Sequence, residues 1–153
     1  MERIWIYQSN KELAEQELTI AENKLREFTE QWKAHGKELA ARAEVRYNRF
    51  VILFLNESLE AASGCSIDSS VRFLKAIEKE LNIDLFDRMQ TAYFDGETVK
   101  TASRTELESL LANGQINEDT LVFDNTVQNS KELAERWIVP IKESWHSKVF
   151  NLV

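Results

Sequence analysis

One cysteine, one proline and four glycines are all that this chain of 153 residues holds of three structurally special residue types. A single cysteine rules out an intrachain disulfide and any metal site built from several thiolates. So little glycine and proline leaves no linker of the usual flexible composition and no glycine-rich phosphate loop. No run approaches the roughly 18 apolar residues of a membrane-spanning helix. The opening Met1-Glu2-Arg3-Ile4-Trp5 has no apolar stretch that reads as a secretion signal. Basic residues are in deficit, 19 Lys and Arg against 26 Asp and Glu, for a net charge of -7. Binding of DNA or RNA over a broad surface needs the opposite balance, so nucleic acid is not expected as a partner. Two histidines stand far apart, with no His/Glu pair at ligand spacing on one helix. Neither a metal nor another cofactor is therefore expected. The expected location is the cytoplasm.

What is present is enough for a core. Hydrophobic residues make up 43% of the chain, with four Trp and eight Phe among them, and the 29% of charged residues are intermixed. That balance excludes a disordered chain and suits one domain, or one domain with a small appendage.

Arg3 to Gln8 alternates apolar and polar residues and predicts a strand. Ser9 or Asn10 is the expected cap of a long helix. Its buried face carries Leu13, Leu18, Ala21, Leu25, Phe28 and Trp32, and Gly36 is its expected C-terminal stop. A strict period of two from Leu39 to Asn48 predicts a half-exposed strand. The continuous apolar run Phe50 to Leu55 predicts a central one. A loop over 56–68 leads to a second helix burying Val71, Leu74, Ile77 and Leu81, or a closely related stripe with Phe73, with Asn82 as its stop. A fourth strand is expected from Arg88 to Phe94. The order β-α-β-β-α-β predicts an α+β fold, a ferredoxin-like sandwich over residues 1–94. Beyond it, Asp95-Gly96 signals a tight hairpin, and Ser103-Arg104-Thr105-Glu106 a capping box opening a short helix. Leu121 to Phe123 is one more strand. Residues 95–153 are expected to form a small extension packed on the sandwich. Its tail carries Trp137, Pro140, Trp145, Val149 and Phe150.

Within that extension, Leu107, Leu110, Gly114, Ile116, Thr120, Leu121, Val122 and Phe123 follow the pattern of a short helix, Gly-x-Ile, then Asp-Thr-Leu-Val-aromatic. Residues 92–125 thereby resemble bacterial GYF-like domains. Val99-Lys100-Thr101-Ala102 stands where such domains have an aromatic-Gly-Pro element, and Phe123 replaces the commoner Trp. The resemblance implies protein binding. The whole chain is also similar to a family of short bacterial proteins with no established activity. The shared stretches here are Glu30 to Gly36, Arg46 to Phe50, Ser63 to Asp68 and Ser144-Trp145-His146. Some members of that family carry the label ABC transporter ATPase. The residues do not support it: Lys37 follows Gly36, but Gln31 stands where a P-loop needs its first glycine.

Three places hold candidate sites. Gly64-Cys65-Ser66-Ile67-Asp68-Ser69-Ser70 gathers the only cysteine, small hydroxyl residues and the free N–H groups of a helix start. Such a place binds anions or activates a thiol. The expected topology brings His35 to the same edge, so Cys65 with His35 as base, ringed by Ser63, Ser66 and Ser69, is one reading. In the other, Cys65 is packing and His35 caps its helix. Asp68 reads as the helix N-cap or as a ligand-orienting group, with capping favoured. Arg42 and Arg46 flank Glu44 on one strand face, a solvated charged surface or a contact for a partner. Trp137 and Trp145 mark a docked tail or a peptide-binding surface. The leading expectation is a non-catalytic binding or adaptor protein, with a protein partner or a homodimer. A thiol enzyme or redox sensor at Cys65 and His35, and a small-anion sensor at Gly64–Ser70, are the alternatives.

Overall fold

The computed structural model describes residues 1–149. The chain is an α+β protein and divides into two compact units. The first comprises Met1–Asp87 and Gln128–Lys131; the second comprises Arg88–Val127 and the chain from Glu132 onward.

In the first unit the elements are β1 (Arg3–Gln8), α1 (Glu15–Gln31), β2 (Lys33–Ala34), β3 (Lys37–Glu38), β4 (Ala40–Arg46), β5 (Phe50–Asn56) and α2 (Gly64–Leu81). The apolar run does what its composition dictates. Phe50 to Leu55 are each at most 1% exposed, and β5 is the middle strand of an antiparallel sheet of order β1-β5-β4. Register runs Tyr7 against Val51 and Arg46 against Phe50. One face of the sheet sends Tyr7, Val51, Leu53 and Leu55 into a core with Ala21 and Leu25 of α1 and Leu74, Ile77 and Leu81 of α2. Of the predicted helical stripes, Ala21 and Leu25 of α1 and Leu74, Ile77 and Leu81 of α2 are buried, Leu18, Phe28 and Phe73 pack half-buried against them, and Val71 is half-exposed. Asn82 ends α2 in the left-handed conformation, at φ 52°, a role in which Asn is well tolerated.

Four details differ from the sequence expectation. Ser9 and Asn10 do not cap α1. Ser9 Oγ closes a local turn with Lys11, and Asn10 Oδ1 accepts from the Asp84 N–H at 2.8 Å. The helix starts instead after Ala14, where the Glu17 carboxylate accepts from the Ala14 N–H at 2.9 Å. Nor does α1 reach Gly36. It stops at Gln31, and the next residues form a hairpin with Ala34 opposite Lys37. His35 and Gly36 are its turn, both at positive φ (54° and 77°), as a two-residue hairpin turn requires. The second helix begins at Gly64, earlier than expected, because Ser63 rather than Asp68 is its cap.

The fourth difference is the largest. The strand expected to complete a four-stranded sandwich is Gln90–Asp95, and it lies in the other unit's sheet. The tight Asp95–Thr98 hairpin holds it to the next strand, and Tyr93 pairs with Val122 on its other side. The outer edge of β1 is taken by the returning segment instead. Ile4 N–H donates to Gln128 O at 3.0 Å, Ser130 N–H donates to Glu2 O at 2.8 Å, and Arg3 bridges Asn129. The first unit's sheet therefore has three strands.

The second unit holds β6 (Gln90–Asp95), β7 (Thr98–Ser103), α3 (Arg104–Ala112) and β8 (Leu121–Phe123). The helix α4 (Ser130–Arg136), begun in the returning segment, leads to β9 (Ile138–Pro140), a 3-10 turn and the short α5 (His146–Val149). Its sheet order is β7-β6-β8-β9. The Gly96 turn and the Ser103–Glu106 capping box form as the sequence predicts. Tyr93, Ala102, Leu107, Ile116, Val122 and Ile141 make the core. Phe123 stacks on Phe94 and meets Trp137 edge to face, with ring centroids 5.1 and 5.0 Å away. Trp137 is buried, and its indole N–H donates to Asn125 Oδ1 at 2.9 Å. Trp145 is 45% exposed. Phe150, also expected in the tail, lies outside the described residues.

Candidate functional site

The start of α2 is organised by its own serines. Ser63 Oγ accepts from the Ser66 N–H at 3.1 Å, and Ser66 Oγ accepts from the Ser63 N–H at 2.7 Å, a reciprocal cap with serine in the role usually held by Glu. Ser66 also donates its hydroxyl proton to Ser63 O, and Ser69 donates to Ser66 O at 2.9 Å. The hydroxyls that the sequence gathers here are thus engaged locally, Ser63 and Ser66 as caps and Ser69 with a carbonyl of its own helix. Ser63→Ala removes the cap and is expected to cost about 1 kcal/mol. Urea unfolding of the variant and wild type reads that loss as a lower midpoint.

Trp32 fixes where this helix begins. The residue is 3% exposed, and its indole N–H donates to Ser66 O at 2.8 Å. Trp5 and Phe28 pack on it with ring centroids 5.8 and 5.3 Å away, and Phe73 of α2 stacks on Phe28 at 4.4 Å. This aromatic cluster joins the end of α1 to the first turn of α2. It brings the β2–β3 hairpin, with His35 at its exposed tip, to the same end of the unit as Cys65. No hydrogen bond or ion pair joins His35 to Cys65. Cys65 is exposed in the first turn of α2. Gly64 is exposed beside it, with open space around its Cα. Asp68 is exposed one turn into the helix. Its negative charge there opposes an anion at the helix start. Among the described residues no group of three or more His, Cys, Asp or Glu is placed to hold a metal ion. No helix among them is long and apolar enough to cross a membrane.

Arg42 and Arg46 are organised by Glu44 between them. Arg42 donates to both oxygens of Glu2, at 3.1 and 2.8 Å, and lies 3.4 Å from Glu44. Arg46 donates to Glu44 at 2.9 Å. Both guanidinium groups also lie over the Phe54 ring, at 3.8 and 5.9 Å from its centroid. The Glu2 carboxylate holds Arg42 above the ordinary arginine range. The ladder is a charge-paired surface. Beside it runs a groove of about 310 Å³ between α1 and β4, lined by Leu25, Arg26 and Thr29 on one side and Ala41 to Val45 on the other.

The second unit has a groove of its own. About 370 Å³ of open space lies between β7 and α3, over Tyr93, Ala102 and Leu110, with Thr101, Thr105, Glu106 and Ser109 along the rim. Hydrogen bonds from Ser103 hold the Glu106 carboxyl below the usual carboxylate range, so this rim is anionic at neutral pH. The sequence had marked this helix by its cap and by Leu107 and Leu110, but not the groove beside it. A groove is a relation between elements packed together, and no single stretch of residues announces it.

A Ser–His pair also escaped the sequence reading. Ser144 Oγ and His146 Nδ1 share a hydrogen bond of 2.9 Å, and Ser144 also donates to Ile141 O. The motif Ser144-Trp145-His146 is legible in the chain; its burial is not. Ser144 and His146 are 5% and 4% exposed, so the hydroxyl is sealed from any substrate. Burial pushes the imidazole down to about 4, against a smaller opposing pull from Asp124. His146 is a neutral structural residue at physiological pH.

No protein-family profile matches the chain, no curated protein is significantly similar to it, and no solved structure shares its fold at a significant level.

Proposed function

We propose that the chain is a non-catalytic binding protein of the cytoplasm, and that its second unit holds a peptide segment of a partner protein in the groove between β7 and α3. The groove carries this reading. An apolar floor of Tyr93, Ala102 and Leu110 under a rim of hydroxyls suits one apolar side chain, with the rim hydroxyls bonding the backbone on either side. The anionic Glu106 on the rim favours a Lys or Arg next to that apolar residue. The resemblance of residues 92–125 to GYF-like domains supports the same reading. The thiol alternative rests on the accessibility of Cys65 alone. The anion alternative rests on a helix start whose hydroxyls are already engaged, as caps or with helix carbonyls. Each lacks a second group to act with.

Ser109 is exposed on α3, so Ser109→Trp fills the groove without touching the core. Partner proteins retained by the immobilised wild-type chain are expected to be lost from Ser109→Trp at unchanged thermal stability. The same proteins retained by both chains, or none above background, would overturn the reading.

A further inference from the structure

β4 is the outer strand of the first unit's sheet, and among the described residues it pairs with β5 alone. An edge strand of seven residues leaves backbone donors and acceptors on its outer side, here with the Ala41 N–H already donating to Leu39 O at 3.0 Å. That side faces the groove of about 310 Å³ beside α1. Ala41, Ala43 and Val45 point toward the helical face yet stay half-exposed, because the groove leaves them uncovered.

The charges on the opposite face decide what fits. Lysines alone on an edge strand protect it from pairing. Arg42-Ala43-Glu44 is different, because its charges are complementary to themselves when the strand is reversed. Antiparallel pairing about a two-fold axis at Ala43 sets Arg42 opposite Glu44 and Glu44 opposite Arg42. The same register sets Ala41 opposite Val45 and uses every residue of β4, from Ala40 opposite Arg46 to its mirror. Moving the axis to Arg42 or Glu44 sets like charges against themselves. Moving it to Val45 runs the pairing into Tyr47 and Asn48, which turn at positive φ.

We propose that a second copy of this chain pairs with β4 along this edge, antiparallel and centred on Ala43. Two three-stranded sheets then become one continuous sheet, and Val45 of each copy covers the Ala41 end of the other's groove. The closed two-fold symmetry makes a dimer rather than a fibre.

Sedimentation equilibrium over a dilution series tests this. The wild-type chain is expected to move from its monomer mass of 17.8 kDa toward twice that value as concentration rises. Arg42→Glu places like charges opposite each other at two symmetry-related positions and raises the dissociation constant by about tenfold or more. Glu44→Arg does the same from the other side. The charge swap Arg42→Glu with Glu44→Arg restores opposite charges in the same register and restores the dimer. Both positions are on the surface, and circular dichroism verifies the fold of each variant. A monomer mass at every concentration would overturn the proposal. So would a dimer insensitive to either single change, or a swap that fails to restore what the single changes removed.

Discussion

Trp32→Ala is expected to destabilise the first unit by about 3–5 kcal/mol, the range for deleting a buried aromatic side chain. The loss has two parts. The cavity left beside Trp5 and Phe28 is apolar and enclosed, since Trp32 is 3% exposed. The hydrogen bond to Ser66 O disappears with the indole. Ser66 O lies in the first turn of α2, so its loss is worth only about 1 kcal/mol. Trp32→Phe keeps most of the packing and removes only that bond, and is expected to cost far less than the alanine variant. Urea unfolding followed by circular dichroism checks both. A midpoint for Trp32→Ala close to wild type would mean that the aromatic cluster does not hold the start of α2.

The second large effect is acid destabilisation through His146. Its imidazole titrates at about 4 in the folded chain and near its ordinary value of about 6.5 once unfolded. Between those pH values the unfolded state binds the extra proton, so stability falls as pH falls from about 6.5 to 4. Above that window both states are neutral at this site and nothing is lost; below it both are protonated and the loss is complete. The full difference amounts to about 3 kcal/mol. His146→Gln does not titrate. Its stability is expected to change less than that of the wild type across the window, with the two curves diverging from pH 6.5 downward. Parallel curves would show that His146 is solvated in the folded chain.

The sequence made the central features of the fold legible because burial repeats with the period of each element. Phe50 to Leu55 reads as a central strand since every residue is apolar, and Leu74, Ile77 and Leu81 mark the inner face of α2. The Asp95-Gly96 turn and the Ser103–Glu106 box are local chemistry, and both formed as expected. The errors fall where a distant contact decides between local options. Ser63 and Asp68 are both good helix caps, and the choice follows a bond from Trp32 to Ser66, 34 positions away. Gly36 serves a helix end and a hairpin turn equally well, and β2 and β3 are too short to show a period. Residues 90–95 were legible as a strand, but alternation names no partner. The hairpin partner next in sequence and Val122 claimed it, leaving the edge of β1 to Gln128 and Asn129. At the candidate sites the residue types were visible, whereas the direction of each side chain was not. Ser63, Ser66 and Ser69 are engaged locally, Cys65 and His35 are exposed, and the two grooves emerged only from packing.

The most direct test of the binding reading is photo-crosslinking in living cells from a photoreactive side chain placed at position 109, with exposed position 27 of α1, which lines neither groove, as comparison. A discrete protein adduct from position 109 that is absent from position 27 is the result expected of a groove that holds a partner. No adduct from position 109, or the same adducts from both positions, would contradict it.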